Sequence, residues 1–309
     1  MRSASCSSRR ETSDPGIMGA VLRHSPLVFW KGEYGVMEKP DTIKAIFSDV
    51  DGTLLNSAHR VTPRTGMWIR RVMAQDIPFV IVSARSPSGI YPILKRNDLE
   101  CALIAYSGAM ILDRDRSILF NRQIRRDLAA EIEYFFITSI KKKYDMTWSV
   151  YSGDLWLAPD RRDPRILREE RIVEARSREG SVRDLVPGAG VNKFLCICAP
   201  EQTTAIEREI RGAFPEVFVV RSSDILIEIM DRGTSKADAV RRFCEYAGIL
   251  PEETIAFGDH YNDVEMLGAV GQGYVMGNAP EEIRRHFGRV TADNDHDGIA
   301  DVLERLFGT

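Results

Sequence analysis

Two aspartates one residue apart, Asp49 and Asp51, are the first residues in this chain whose spacing suggests chemistry. They stand directly behind the apolar run Ala45-Ile46-Phe47-Ser48 and are followed by Gly52 and Thr53. Along a strand, residues i and i+2 share a side, so both carboxylates are expected in one small volume where the strand ends. Gly52 lets the backbone turn away at once. Two like charges held this close resist joint ionisation unless a cation or a shared proton separates them. The pair therefore points to a bound divalent metal, or to a carboxyl kept protonated as an acid. Further along, Ser83 ends a second apolar run and Lys236 opens a helix after Gly233-Thr234-Ser235. Asp259, Asn262 and Asp263 follow a third run, closed by Gly258. Four carboxylates, a lysine and a hydroxyl at strand ends are the inventory for handling a phosphoryl group on Mg²⁺. Singly, each has an ordinary reading: an Asx turn, a strand-end cap, a solvated helix lysine, favourable charges at a helix N-terminus. Only the set points to phosphoryl chemistry.

Positioning such a set requires strands that end together. The segment 45–55, a helix from Thr62-Pro63 to about Gln75, a strand over 78–83, a helix near 88–97 and a strand over 102–105 alternate as in a doubly wound parallel sheet. Threonine at the cap and proline in the first turn mark the first helix start. The pattern then changes. A long amphipathic helix over 126–144, alternating strands at 146–151 and 154–158, a charged helix at 164–176, a strand at 192–198, a helix at 201–214 and strands at 217–221 and 226–230 read as an α+β unit with an antiparallel sheet. From Gly233 the first pattern resumes, with helices at 236–246, 262–267, 281–287 and 298–307 and strands at 254–257 and 273–276. The expected organisation is a leader (1–40), an α/β core from two separated pieces (41–123 and 232–309) and an inserted α+β domain (124–231). Open α/β sheets bind ligands at the carboxyl ends of their strands, which is where the polar residues gather.

Composition narrows the function classes. The chain has 309 residues, 44% hydrophobic and 28% charged, with net charge −3 and pI near 6.0. That balance is ordinary for a globular protein and argues against a nucleic-acid surface, which shows as a basic excess. No apolar run is long enough to span a bilayer. The cysteines (Cys6, Cys101, Cys196, Cys198, Cys244) are odd in number and scattered, which suits buried thiols in a reducing, cytoplasmic setting. Residues 1–16 are rich in Ser and Arg without apolar periodicity and read as disordered. An upstream start is the favoured explanation of this leader, with Met37 the natural beginning.

In order along the chain, Asp49-Val50-Asp51-Gly52-Thr53, Ser83 at a strand end, Lys236 after Gly-x-Ser, and Gly258-Asp259-x-x-Asn262-Asp263 resemble the four motifs of the haloacid dehalogenase (HAD) superfamily. The α/β insertion between the second and third motifs resembles the cap of the Cof-type subfamily, as do Met276-Gly277-Asn278-Ala279 and Asn294-x-x-Asp297-Gly298. The resemblance covers about residues 43–308. Two departures stand out: Ala84 where the family usually has Gly, and Ser107-Gly108-Ala109 where it commonly has Asn-Gly-Ala. The resemblance implies a Rossmann-like core and a phosphatase acting on a small phosphorylated metabolite, a sugar phosphate foremost. It makes Asp49 the nucleophile and Asp51 the general acid and base. Ser83, Lys236 and Asn262 would hold the phosphate, and Asp49, the Asp51 backbone carbonyl, Asp259 and Asp263 would serve Mg²⁺, Asp263 as ligand or outer partner. A phosphosugar mutase and a non-catalytic metabolite-binding protein are the alternatives. Specificity is expected in cap loops near 151–156 or 188–192. Arg85 is open between contacting substrate and bracing its loop, His260, His286 and His296 look incidental, and the oligomeric state is open.

Overall fold

Three short runs with every residue buried, Ala45–Ser48 (β1), Phe79–Val82 (β2) and Ala102–Ala105 (β3), need cover on both faces. Helices α1 (Pro63–Met73) and α2 (Pro87–Asn97) follow the first two, each opened by a hydroxyl cap (Thr62, Ser86) and a proline in its first turn. The computed structural model describes residues 42–308, so the expected leader and Cys6 lie outside the described residues. The chain continues through the hairpin β4 (Met110–Leu112) and β5 (Ile118–Asn121) into α3 (Arg126–Phe135). Next come β6 (Met146–Ser152), β7 (Leu155–Ala158), α4 (Pro164–Val173), β8 (Arg178–Glu179), β9 (Lys193–Cys198), α5 (Thr203–Ala213), β10 (Val217–Arg221) and β11 (Leu226–Asp231). It closes with α6 (Lys236–Ala247), β12 (Thr254–Gly258), α7 (Val264–Gly268), β13 (Gln272–Val275), α8 (Glu281–His286) and α9 (Gly298–Phe307).

Two sheets result among the described residues. The first has the order β13-β12-β1-β2-β3-β4-β5, parallel from β13 to β3. The chain leaves β1 towards β2 on one side and later returns to β12 on the other, which makes the β1/β12 boundary a topological switch point. The antiparallel β4 and β5 extend this sheet where the sequence reading placed no strands. Ile118 is exposed in this short hairpin, so the alternation that betrays a strand is missing.

The second sheet has the order β10-β11-β9-β6-β7-β8 and is antiparallel except for the two-residue β8, which runs parallel to β7. Its strands alternate cleanly. Trp148, Val150, Phe194, Cys196, Ile227 and Ile229 share one apolar cluster with Ile132 and Phe136 from the α3 segment and Ile206 and Ile210 of α5. Tyr151, Leu195 and Ile197, pointing the other way, join the apolar cluster of the first sheet. The helix expected over 126–144 is α-helical only to Phe135 and then widens into a π turn, Phe136–Ile140. Ile132, Phe136 and Ile140 are buried throughout, so the helical period carries through the change of turn and the sequence reads as one helix. No helix among the described residues is long and apolar enough to cross a membrane.

Candidate active site

Asp49 is the first residue beyond β1, and its N–H donates to the Phe257 carbonyl of β12 at 3.0 Å. The Asp259 that follows β12 is therefore its neighbour across the switch point. Lys236, the first residue of α6, reaches the same place from a third element: its Nζ lies 2.6 Å from Asp49 Oδ1 and 2.6 Å from Asp263 Oδ1. All three side chains are buried. Oxygen atoms of Asp49, Asp259 and Asp263 lie within 4.8 Å of one another. Three carboxylates against one ammonium leave this cluster short of positive charge.

The electrostatics follow from that arithmetic. Burial pushes the Asp49 carboxyl well above its ordinary range, and Lys236 only partly offsets this, while Asp263 and Asp259 add to it. Burial raises Asp259 to about 6, opposed by the hydrogen bond from Thr53 and aided by the charge of Asp263. For Lys236 burial works to lower the value, but Asp263 and Asp49 together hold it above that of a free lysine. A hard divalent cation fits this donor set, which is all oxygen, carboxylate-rich and under-neutralised.

The support around these groups is specific. Asp263 accepts from Lys236 on one oxygen and from the Asp259 and His260 N–H groups on the other, both at 3.1 Å. That bonding makes it a brace for the Asp259 loop, and both of its oxygens are engaged. Thr53 Oγ1 donates to Asp259 Oδ1 at 2.8 Å. Gly52 has φ +86°, and a Cβ there would collide with the Asp259 carboxylate, so only glycine serves. Asn278 and Asn294 donate to the carbonyls of Gly52 and Leu55 at 2.8 Å each, fixing the turn from the far end of the chain.

Asp51 departs from expectation. Its carboxylate is not in the acidic cluster. It is half exposed and held by Arg85, with Nε 2.8 Å from Oδ2 and Nη2 2.6 Å from Oδ1. The i, i+2 argument fails because the strand ends at Ser48 and residues 50–53 already form a turn. Among the metal-serving residues expected from the sequence, Asp51 therefore does not bring its side chain to the others. Arg85 acts as a brace for this acid. Ser83 is buried beyond β2, its Oγ accepting from the Arg85 N–H at 3.1 Å. Asn262 sits exposed in the short turn Tyr261–Asp263, ahead of α7, so the helix expected from residue 262 starts two residues later.

The inserted sheet meets the first at this same rim. Lys193 Nζ donates to the Ala84 carbonyl at 2.8 Å, and the Tyr106 hydroxyl to the Gly153 carbonyl at 2.7 Å. The two loops named for specificity converge: Gly153 N–H donates to Asn192 Oδ1 and Ser152 Oγ to the Gly190 carbonyl. Gly108, at φ +109°, packs so closely on the Ser235 carbonyl that a Cβ would overlap it. Lys193 was missed from the sequence. The signal was there, as a lone charge at an inward position of an otherwise apolar strand.

The family model for haloacid dehalogenase-like hydrolases matches residues 46–303. A Haemophilus influenzae protein provisionally named a phosphatase is 36% identical over 264 residues, covering 85% of this chain and 98% of its own. The HMP-PP phosphatase of Serratia proteamaculans is 26% identical over 238 residues, covering 76% and 84%. A solved haloacid dehalogenase-like hydrolase from Bacteroides thetaiotaomicron superposes with a TM-score of 0.78 at 26% identity, covering 86% of this chain and all of that one.

Proposed function

The chain belongs to the haloacid dehalogenase-like hydrolase family and is a phosphatase, and from that premise we propose that it hydrolyses phosphate monoesters of a small metabolite, a sugar phosphate foremost, through a Mg²⁺-dependent reaction and an aspartyl-phosphate on Asp49. One observation carries the reading: a buried carboxyl group, Asp49, gripped by Lys236 beside Asp259 and Asp263 at the switch point of the sheet.

Asp49, Asp259 and the Asp51 backbone carbonyl are the groups assigned to the cation, with Asp263 holding their loop. When bound, Mg²⁺ would offset the excess carboxylate charge and neutralise phosphoryl oxygens. An oxygen of Asp49 attacks phosphorus, a new P–O bond forms, and the ester P–O bond breaks. Asp51 gives its proton to the departing oxygen. Water then attacks the aspartyl-phosphate, Asp51 takes the proton back, and inorganic phosphate leaves with Asp49 restored. Lys236, Ser83 and Asn262 hold the phosphoryl oxygens, on which charge accumulates in the transition state. Residues 124–231 act as the cap, closing over the leaving group and excluding water.

The test is Asp49→Asn. Phosphate release from p-nitrophenyl phosphate should be abolished while circular dichroism stays native, and retained turnover would remove Asp49 from the nucleophile's role. Chelation should stop the wild-type reaction and Mg²⁺ restore it. Product analysis with a hexose phosphate separates free phosphate from an isomerised ester, which would instead mark a mutase.

A further inference from the structure

The strand β13 lies at an edge of the first sheet, and it opens with a glutamine that the core does not need. Gln272 is 4% exposed and shares a side of the strand with Tyr274. The Tyr274 hydroxyl donates to Gln272 Oε1 at 2.8 Å, which leaves the amide NH₂ as the group still to be satisfied. Gln272 Nε2 is buried and has no hydrogen-bond partner among the described residues. A buried donor in that condition is costly and calls for a specific explanation.

Both residues line a pocket of about 440 Å³, a size typical of small-molecule sites. Arg289 and Val290, from the segment after α8, line it as well, as do Arg305 and Leu306 of α9. The Val275 N–H donates to the Arg289 carbonyl at 2.9 Å and so holds that segment along β13. Arg305 lies over the Tyr274 ring, 5.7 Å from its centroid, and Phe257 stacks on the same ring at 5.5 Å. Among the described residues neither guanidinium makes a hydrogen bond or an ion pair, and no carboxylate lines the pocket. Two cations and a buried amide NH₂ thus gather around one space with nothing negative to meet them.

We propose that this pocket is a second anion site, separate from the active site, which takes a phosphate dianion through Arg289, Arg305 and the Gln272 amide. Guanidinium forks match the oxygens of a phosphate group bidentately, and two positive charges balance a dianion where a single carboxylate would leave one over. Val290 and Leu306 give the pocket an apolar wall for the organic part of a phosphomonoester. The site stands apart from the chemistry by its place on the sheet. Gln272 pairs in register with Ile255, near the start of β12, whereas Asp259 follows the end of that strand.

Titration calorimetry on the full chain, with chelator present, tests this with two probes. Inorganic phosphate represents the free ion, and phenylphosphonate, whose P–C bond resists hydrolysis, represents an ester. At least one of them should bind with Kd below about 1 mM. Arg289→Met combined with Arg305→Met should weaken that binding by at least about 10-fold, the loss expected for hydrogen bonds to charged groups. The same double variant, given Mg²⁺, should turn over p-nitrophenyl phosphate within about 2-fold of wild type, as for sites without shared partners. Gln272→Leu with Tyr274→Phe removes both members of the buried hydrogen bond together, so the fold is spared, and should weaken binding by about 3-fold or more. Tighter binding of phosphate assigns the site to the free ion and tighter binding of phenylphosphonate assigns it to an ester, and either supports the proposal. No binding of either probe by wild type, unchanged affinity in either double variant, or a fall in turnover that matches the fall in affinity would each overturn it. A wild type inactive on p-nitrophenyl phosphate would strike the proposed function and leave the binding result to decide this one.

Discussion

The molecule buries two lysines at one rim, and they are buried on different terms. Lys236 comes from the first sheet's own domain and has a carboxylate at 2.6 Å on each of two sides. Lys193 comes from the inserted sheet and has a carbonyl at 2.8 Å, with its nearest carboxylate at 3.6 Å. The first is locked by charge and the second by one directional bond between layers. The contrast teaches where rigidity is placed. The groups proposed to meet phosphorus are held around the first sheet by strong ion pairs, whereas Lys193 and Tyr106 each reach across to the other sheet's side by one hydrogen bond to a backbone carbonyl. Removing a charge from the first should be costly, and losing the second should cost what one good hydrogen bond is worth.

Lys236→Met should show the largest effect. It leaves Asp49 and Asp263 buried without their cation, which by analogy with broken buried pairs destabilises by about 3–5 kcal/mol. If Lys236 holds the phosphoryl oxygens as proposed, kcat should fall by at least about 10²-fold. Urea unfolding and steady-state kinetics measure both, and a native midpoint would show that the buried carboxylates do not need this partner. Lys193→Met made together with Glu228→Met, which leaves no stranded carboxylate, should cost only about 1.5–3 kcal/mol, the range for a hydrogen bond to a charged group. A loss equal to that of Lys236→Met would erase the distinction between the two lysines.

The carboxylates around Lys236 predict a pH signature. In the metal-free protein Asp259 takes up its proton as the pH falls through about 6. Its folded value is raised, so this group makes the metal-free protein more stable as the pH drops from above 6 towards the ordinary value of 3.8, the reverse of an ion-paired acid. A cation needs the ionised form. The Mg²⁺-induced rise in Tm should therefore be larger at pH 7.5 than at pH 5, and Asp259→Asn should remove most of that difference. An equal rise at both pH values would take Asp259 out of the cation's reach. The smallest effect belongs to Thr53→Val, which removes the hydroxyl that orients Asp259. Mg²⁺ affinity should weaken by about 10-fold, followed by titration calorimetry, with little change in stability.

How much of this was legible in the sequence differs by residue. Asp49 and Asp259 were readable because each follows a short buried run, and parallel strands deliver their last residues to one edge. Lys236 was readable from the cap before it, since Ser235 accepts from the Asp238 N–H and fixes where α6 begins. The pairing of Asp51 with Arg85 was not readable. It depends on how a turn leaves a strand, and one residue past β1 the period of two no longer applies. The β4–β5 hairpin was hidden for a related reason: a short, half-exposed edge lacks the pattern that burial imposes.

By itself the sequence determined which side chains would be available at the strand ends and in what order, because apolar periodicity is a local property that burial writes into every buried strand. It also determined that a second sheet interrupts the first. Only the tertiary structure decided which of those side chains meet. Asp263 became the brace for its loop, Asp51 was drawn away to Arg85, and Lys193 reached across to Ala84. Such choices depend on distances between segments far apart in the chain, and spacing along one segment carries no record of them.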